Sequence, residues 1–98
     1  MNDGLFDFNE VDRVIHEPAR LMLVSILSPI EEADFTFLLN QTGMSKGNLS
    51  THLTKLEEAG YVDMIKGFRG KIPQTTAKLT RKGRHAFENY RRTMKRFF

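Results

Sequence analysis

The stretch from Thr36 to Gly60 limits the fold most, because it holds two short helical patterns separated by a turn. Gly43 lies between the patterns, and glycine readily takes the left-handed conformation that ends a helix. In the second pattern, Leu49, Leu53 and Leu56 recur at helical spacing and define one apolar stripe. The short gap between the two patterns predicts a helix-turn-helix.

The opposite face of the second helix carries short polar side chains and one cation, in place of the Glu and Lys side chains of an ordinary solvated helix. These residues are Gly47, Asn48, Thr51, Thr54 and Lys55. Two interpretations follow: a surface helix that happens to be rich in Ser and Thr, or a face that approaches a polar partner closely. The stretch alone does not distinguish these two interpretations, so the flanking segments must decide between them.

Charge is distributed unevenly along the chain, whose net charge is +3. Residues 1–40 contain eight acidic and two basic residues, whereas residues 41–98 contain 13 basic and four acidic residues. The basic half therefore begins where the second helix begins. This asymmetry favours a surface that faces a polyanion, most simply a nucleic acid, although basic C-terminal helices also serve solubility.

The length and the residue inventory exclude several classes of protein. At 98 residues the chain is expected to form one domain, whose small core a dimer would enlarge. There is no Cys, no Gly-rich phosphate loop and no pair of carboxylates near a histidine, so we expect no catalytic residues and no cofactor. His16, His52 and His85 lack the spacing of metal ligands, so no metal is expected.

No apolar run approaches the roughly 18 residues of a membrane span, and the acidic N-terminus is unlike a targeting peptide. We therefore expect a cytoplasmic protein without membrane contact.

Several local patterns predict the remaining helices. A helical turn or two is expected over Val11–Ile15, and the almost wholly apolar segment Pro18–Leu27 predicts a buried helix that opens on a proline. Asp34 and Ser45 are candidate N-caps for the two helices of the helix-turn-helix. Thr80 is a candidate N-cap for a last helix that runs to the C-terminus.

The pattern changes to that of strands after Gly60. Tyr61–Ile65 favours a strand, residues 66–71 form a basic loop that contains glycine, and Ile72–Leu79 supplies a return strand. Pro73 cannot donate to a ladder, so the return strand is expected at an edge or with an irregular start. The predicted fold is mainly α with a small β-hairpin.

The last helix combines an apolar stripe with a strongly basic remainder. It could serve as a DNA-binding surface, lie on a membrane, or form an interface between two copies. Because the stripe is too apolar to leave in water, we assign it to a two-fold interface together with the apolar N-terminal residues. The expected interface residues are Leu5, Phe6, Phe8, Val11, Phe87, Tyr90, Met94 and Phe97.

Three segments resemble one family in their order and spacing. MSKGNLSTHLTKLEEAGYV resembles the recognition-helix block of small prokaryotic transcription regulators of the MarR and ArsR type. KGFRGKIPQTTAKLTRKGRHAF is similar to the wing and helix-start block of the short winged helix DNA-binding domain regulators in that group, and IHEPARLMLVSIL to their first core helix. The resemblance covers about residues 10–92.

The resemblance implies a winged helix-turn-helix over residues 1–98, in which the N- and C-terminal helices form the dimer interface. Residues 1–16 are expected to form an N-terminal arm or helix, residues 17–79 the core, and residues 80–98 the dimerisation helix. Such a homodimer would act as a transcriptional regulator, expected to be a repressor, on a pseudo-palindromic operator in double-stranded DNA. In a prokaryote it would be associated with the nucleoid.

In this family the recognition helix, here about residues 45–59, enters the major groove, and the wing, here about residues 66–71, lies on the minor groove. The expected DNA contacts are Ser45, Lys46, Gly47, Asn48, Thr51, His52, Thr54, Lys55, Lys66, Arg69 and Lys71.

Side-chain chemistry suggests how these contacts divide. Asn48 can bind adenine through two hydrogen bonds and Thr51 can contact a thymine methyl group. His52, Thr54 and Lys55 follow one turn later and are better placed for phosphates. Gly47 costs about 0.5–1 kcal/mol of helix stability relative to Ala. Either close approach of the backbone to DNA justifies this cost, or the first turn simply tolerates glycine.

In the wing, Arg69 and Lys71 are the expected contacts, with Lys66 in support, since arginine reads a narrow minor groove. Phe68 would be either a wedge or an apolar plug that folds the loop back onto the hairpin, and we expect the plug.

Two other functions stay open. A winged helix that binds proteins would not use the face of Asn48, Thr51 and Lys55 for DNA, and the basic wing argues against it. A ligand-responsive sensor of the MarR type would bind a small aromatic effector between its DNA-binding and dimer parts, but no residue pattern marks such a pocket.

Overall fold

A computed structural model of the chain describes residues 8–98. In chain order its elements are a 3-10 helix (Phe8–Glu10), α1 (Pro18–Leu27), β1 (Ala33–Asp34), α2 (Phe35–Thr42), α3 (Lys46–Glu58), β2 (Val62–Arg69), β3 (Ile72–Leu79) and α4 (Arg81–Lys95). The strands form one antiparallel sheet in the order β1-β3-β2. The predicted fold class, a winged helix with a helix-turn-helix and a hairpin, is confirmed.

The core lies between the first three helices and the base of the sheet. Its members are Leu23, Val24, Leu27, Ala33, Leu38, Leu49, Leu53, Leu56, Val62, Ala77 and Leu79. Burying one such Leu or Val side chain stabilises a fold by about 1.5–3 kcal/mol. Since all three apolar residues of the predicted α3 stripe are in this set, the core fixes which face of α3 turns outward.

Side-chain caps set where the helices begin. Asp34 accepts a hydrogen bond from the Phe37 N–H at 2.7 Å. Ser45 Oγ accepts from the Asn48 N–H at 3.1 Å, and Thr80 Oγ1 accepts from Gly83 at 2.9 Å. These contacts satisfy backbone donors that have no partner inside their own helix. All three N-caps expected from the sequence are confirmed.

Two glycines end the helices of the helix-turn-helix. Gly43 has φ 70°, and its N–H donates to the Leu39 carbonyl at 2.9 Å. Gly60 has φ 81°. Its N–H donates to the Glu57 carbonyl, and the Tyr61 N–H donates to the Leu56 carbonyl, both at 2.9 Å. This pair of bonds is a Schellman motif. Both helix ends expected from the sequence are confirmed.

The first turn of α4 packs against the backbone that follows α3. Thr80 Oγ1 donates to the Gly60 carbonyl at 2.6 Å. A Cβ at Gly83 would lie 2.2 Å from the Tyr61 carbonyl oxygen, so only glycine fits there. Arg84 donates to the Ser28 carbonyl at 2.7 Å and thereby ties α4 to the end of α1.

The segment before α1 forms one turn, within the helical turn or two expected over Val11–Ile15. A single turn is closed by the His16 N–H, which donates to the Asp12 carbonyl at 2.8 Å. Asp12 Oδ1 accepts from the Val14 and Ile15 N–H groups at 2.9 and 3.2 Å. Because this side chain takes the place of backbone acceptors, the segment makes one helical turn and no helix.

The sheet is larger than the predicted hairpin. β1, which the sequence analysis missed, pairs Ala33 with Ala77. The ladder between β2 and β3 continues to Arg69 and Ile72, so residues 66–69 are strand and the expected six-residue loop is wrong. Only residues 70 and 71 form the turn, and Gly70 has φ 64°, as the first central residue of a type II′ turn requires.

Pro73 shows why β3 can be both central and proline-containing. β3 lies between the other two strands at its inner end, so the expected edge position is wrong for the strand as a whole. Pro73 pairs with Phe68 in the outer half, beyond the two residues that pair with β1. The missing N–H therefore faces no second neighbouring strand.

Candidate nucleic-acid interface

The outward face of α3 is polar, exposed and free of acidic side chains through its first ten residues. Its exposed members are Lys46, Gly47, Asn48, Ser50, Thr51, Thr54 and Lys55. Leu49 and Leu53, on the other side, are buried in the core. The helix is therefore held from behind, and its polar face is accessible from Lys46 to Lys55.

The start of α3 adds positive potential to this face. Ser45 is exposed, and its Oγ accepts from the Asn48 N–H, which leaves its hydroxyl hydrogen free to donate outward. The unsatisfied N–H groups of a first helical turn carry partial positive charge. Lys46 adds a full charge at the same end. A phosphate near this turn would be stabilised by all three groups.

Gly47 has open space around it. A Cβ built at this position would meet no atom within 4 Å. Packing inside the chain therefore gives no reason for a glycine here. The two sequence interpretations of Gly47 differ only in whether something outside the chain approaches its backbone.

His52 differs from its expected surroundings because its side chain turns toward α1. Arg20 donates a hydrogen bond to His52 Nδ1 at 3.2 Å, and Glu17 Oε1 lies 3.9 Å from the same nitrogen. Arginine has no acceptor, so Nδ1 accepts here and the ring proton is on Nε2. His52 thus joins α3 to α1, and its Nδ1 is not available to DNA.

Arg20 and Glu17 are themselves fixed by backbone groups. Arg20 Nε donates to the Val14 carbonyl at 2.6 Å. Glu17 Oε1 accepts from the Arg20 N–H at 3.0 Å, and this bond holds the pKa of the Glu17 carboxyl below its usual value. The α1–α3 contact is therefore a network of defined hydrogen bonds behind the exposed face.

The wing cations lie on both faces of the hairpin. Lys66, Arg69 and Lys71 are all exposed. Strand alternation places Lys66 on the face toward α3, where it lines a groove of about 690 Å³ with Ser50 and Thr54. Arg69 lies on the other face and lines a second groove, of about 400 Å³, beside α2.

These grooves reveal polar residues that the sequence analysis left out of the interface. Ser50 lies between Lys46 and Thr54 at i+4 spacing, and this periodicity alone would have included it. Thr36 and Asn40 of α2 line the groove of Arg69. Nothing in their own spacing marks them, because the hairpin brings Arg69 to them from a distant part of the sequence.

Phe68 contradicts the expectation of an apolar plug. Its side chain is 75% exposed, although it lies on the face of the hairpin that turns toward α3. The ladder runs straight through this position, so no loop exists to fold back. Ile72, which is 70% exposed, directly follows the two-residue turn at the tip, and Phe68 lies in the next pair of the ladder.

The residues expected at a dimer interface separate into three groups. Tyr90 is only 7% exposed, and its hydroxyl lies 2.7 Å from His16 Nδ1, so it belongs to the core of its own chain. Phe87 packs partly against that core. Val11 and Met94 are half-buried, and Phe97 is 38% exposed. Phe8 begins the 3-10 helix, whereas Leu5 and Phe6 lie outside the described residues.

Residues 8–98 contain neither a metal-binding cluster nor a helix that could span a membrane. No cluster of three or more His, Asp or Glu side chains in this range is arranged to hold a metal ion. Within the same range, every helix is too short or too polar to cross a membrane.

Known proteins share this fold, and one family matches most of the chain. Residues 19–98 match the family described as the winged helix DNA-binding domain. An uncharacterized protein of Methanocaldococcus jannaschii is 35% identical over 79 residues, which span 80% of this chain and 85% of that protein.

Solved structures of regulators superpose on most of the chain. A transcriptional regulator homologue from Pyrococcus horikoshii OT3 does so with a TM-score of 0.81 and 25% identity, over 86% of this chain and 83% of the other. A structure described as a possible transcriptional regulator for arsenical resistance has a TM-score of 0.65 and 26% identity, over 93% of this chain and 85% of the other.

The family match begins in α1 and runs to the C-terminus, so it includes the exposed face of α3 and the whole wing. The chain belongs to the winged helix DNA-binding domain family of transcriptional regulators, and it is a DNA-binding protein and not an enzyme.

Proposed function

We propose that the protein is a homodimeric repressor that binds a pseudo-palindromic operator in double-stranded DNA. The exposed face of α3, from Ser45 to Lys55, would enter the major groove of each half-site. The wing, residues 66–71, would lie on the adjoining minor groove. With this role the protein would act in the cytoplasm, in association with the nucleoid of a prokaryote.

The observation that carries the proposal is the exposed face of α3 from Lys46 to Lys55, which holds no acidic side chain, beside a wing of three exposed cations. The first turns of a helix in the major groove come nearest to base edges. Asn48 and Thr51 lie there, and both side chains have the chemistry to distinguish bases. Lys55, one turn later, and the wing cations have the chemistry for phosphates, which fix position without reading sequence.

The dimer is proposed from the C-terminal part of the chain, residues 80–98. Met94 of α4, Phe98 just after α4 and Leu21 of α1 line a groove of about 430 Å³. Phe98 is 98% exposed. An isologous interface through this surface would bury these apolar groups and set two α3 helices at a fixed separation. Half-sites one helical turn apart would follow from that geometry.

A binding experiment on random-sequence duplex tests the DNA role directly. The affinity should be measurable at low salt and fall steeply as the salt concentration rises, because Lys and Arg side chains of the protein displace counterions from the phosphates. Hydroxyl-radical footprinting on a duplex selected by the protein should then give two protected regions about one helical turn apart. Absence of binding to any duplex at low salt would overturn the proposal.

A second candidate, control by a small effector, is favoured by the chemistry of the α1–α4 groove. Phe87, Tyr90 and Phe98 give it an aromatic lining, and Arg91 and Lys95 place two cations at the same site. This combination suits an aromatic carboxylate. Benzoate at millimolar concentration should raise the unfolding temperature and change operator affinity, and both effects should disappear with Arg91→Ala. If benzoate changes neither property, this candidate fails and the DNA role stands.

A further inference from the structure

We infer that Phe68 and Ile72, at the tip of the wing, form an apolar wedge that enters the DNA minor groove beside Arg69 and Lys71. The wedge would contribute affinity that salt does not weaken, in addition to the charge contacts of the same hairpin. This inference rests on the proposed DNA-binding function and assigns to its wing a second kind of contact.

The register of the hairpin places the two apolar side chains on opposite faces. Phe68 pairs with Pro73, and Ile72 pairs with Arg69 in the next position of the ladder. Since successive residues of a strand point to opposite faces, Phe68 and Pro73 share one face and Ile72 shares the other with Arg69. Each flat side of the tip therefore carries an apolar group, and both are exposed in the isolated chain.

The dimensions of the groove favour entry by the tip. The minor groove of B-form DNA is about 6 Å wide, and two paired strands are already about 4.8 Å apart. A ribbon of this kind can enter only end-on, with the narrow turn leading. Gly70 and Lys71 form that turn. Arg69 and Ile72 follow on one face and Phe68 and Pro73 on the other, so Ile72 and Phe68 are the first large apolar side chains to meet the two walls.

The charge around the tip identifies DNA as the partner. Residues 65–76 contain Lys66, Arg69 and Lys71 and no acidic residue. The same strand face continues through Lys66 into the groove shared with Ser50, Thr54 and Glu57 of α3, in which Glu57 is the one acidic residue. The apolar tip is therefore an extension of the cationic surface. Minor-groove proteins commonly insert Phe, Ile or Pro between base steps and kink the duplex there.

The tip is also held in position before any DNA binds. The ladder is continuous up to Arg69 and Ile72. Gln74 Nε2 donates to Asp34 Oδ2 at 3.2 Å and ties the outer hairpin to the start of α2. A wedge on a preformed ribbon loses less conformational entropy on binding than one on a flexible loop.

Binding over a range of salt concentrations distinguishes the wedge from the charges. The probe is a duplex selected from a random library by the wild-type protein, labelled at both ends for anisotropy and for energy transfer across the bend. Phe68→Ser and Ile72→Thr should each lower affinity by about tenfold, the effect of losing one buried apolar side chain, by the same factor at every salt concentration. They should also reduce the bend.

Arg69→Gln and Ile65→Thr are the matched controls. Arg69→Gln should reduce the slope of log affinity against log salt by about 0.9, the value for one lost phosphate contact. Ile65→Thr removes an exposed apolar group from the same hairpin, away from the tip, and should leave affinity, slope and bend unchanged.

The possible results separate this inference from the proposed function. If wild-type protein binds no duplex, the proposed function fails. If it binds and Phe68→Ser and Ile72→Thr bind equally well, the DNA role stands and the wedge is wrong, which would leave the tip as a surface for a protein partner. Equal losses with Ile65→Thr would also reject the wedge, because the effect would then come from the stability of the hairpin.

Discussion

The Asp34 carboxylate accepts one hydrogen bond from α2 and one from Gln74 of the wing hairpin, each on a different oxygen. Oδ1 accepts from the Phe37 N–H at 2.7 Å, and Oδ2 accepts from Gln74 Nε2 at 3.2 Å. One side chain therefore fixes both the start of the helix-turn-helix and the position of the hairpin beside it. The helix that precedes α3 and the wing that is proposed to contact DNA therefore share this support.

Substitutions at Asp34 should separate its two roles. Asp34→Ala removes the N-cap and should lower the free energy of unfolding by about 1 kcal/mol. Asp34→Ser can still cap the helix through one oxygen, so it should lose much less stability while releasing Gln74. Urea unfolding measures the first effect, and faster amide hydrogen exchange in β3 reports the second. Equal destabilisation by both substitutions would mean that the cap contributes little.

Gly83→Ala should be strongly destabilising. The new Cβ would lie 2.2 Å from the Tyr61 carbonyl oxygen and 2.9 Å from Leu79 Cδ1. Because backbone atoms cannot move aside cheaply, we expect a loss of about 1–3 kcal/mol, the usual range for overpacking. The melting temperature measures this loss, and a variant as stable as the wild type would place α4 farther from Tyr61.

Gly47→Ala should have the opposite effect on stability and a separate effect on DNA. Its Cβ meets no atom within 4 Å, and alanine favours a helix over glycine by about 0.5–1 kcal/mol, so the variant should be more stable. If the backbone at Gly47 approaches DNA closely, affinity for a selected duplex should fall despite this gain. Unchanged affinity would show that the first turn merely tolerates glycine.

Stability should fall at high pH because of Tyr61. Burial, together with the adjoining Asp12 carboxylate, raises the pKa of Tyr61 from 10.0 to about 12. Since the folded state has the higher pKa, its contribution to stability is fully present below pH 10 and is lost as the pH rises toward 12. Burial also raises the pKa of Tyr90, so both tyrosines act in the same direction.

Tyr61→Phe isolates this contribution. The variant should lose about 1.5–3 kcal/mol at neutral pH, the range for a hydrogen bond to a charged group, because the Tyr61 hydroxyl donates to the Asp12 carboxylate at 2.5 Å. Its stability should then decline less between pH 10 and 12 than that of the wild type. Titration of the tyrosine absorbance would contradict the account if Tyr61 ionised at an ordinary pKa.

Met94→Asp should give monomers in sedimentation experiments. Met94 lines the α1–α4 groove through which we propose that two copies meet, and a charged carboxylate in place of this apolar side chain would lose its hydration at the interface. Asn89→Asp adds the same charge at an exposed position of α4 and should leave the dimer intact. A dimer that survives Met94→Asp with a native circular dichroism spectrum would place the interface elsewhere.

Much of the helix-turn-helix could be predicted because its determinants are local. Asp34, Ser45 and Thr80 bind N–H groups three residues ahead, and Gly43 ends α2 through its own backbone conformation. Each of these features acts within one turn of chain. The apolar periodicity of α3 then indicates which face of the helix turns inward.

The features that were missed depend on contacts between distant segments. β1 has two residues, too few for any periodicity, and it exists because β3 offers it a partner. His52 turns toward α1 because Arg20, 32 positions earlier, donates to it. Phe68 was expected as a plug because a loop was expected, whereas the continuous ladder leaves its side chain outside.

The central claim is that the first turns of α3 read base sequence and that its later part holds phosphates. The most direct test compares affinities for a selected duplex and a random duplex after Asn48→Ala and after Lys55→Ala. Asn48→Ala should weaken selected binding by about 1–3 kcal/mol and change random binding little, whereas Lys55→Ala should weaken both duplexes alike. If both substitutions reduce selected and random binding equally, α3 does not divide its contacts in this way and the account is wrong.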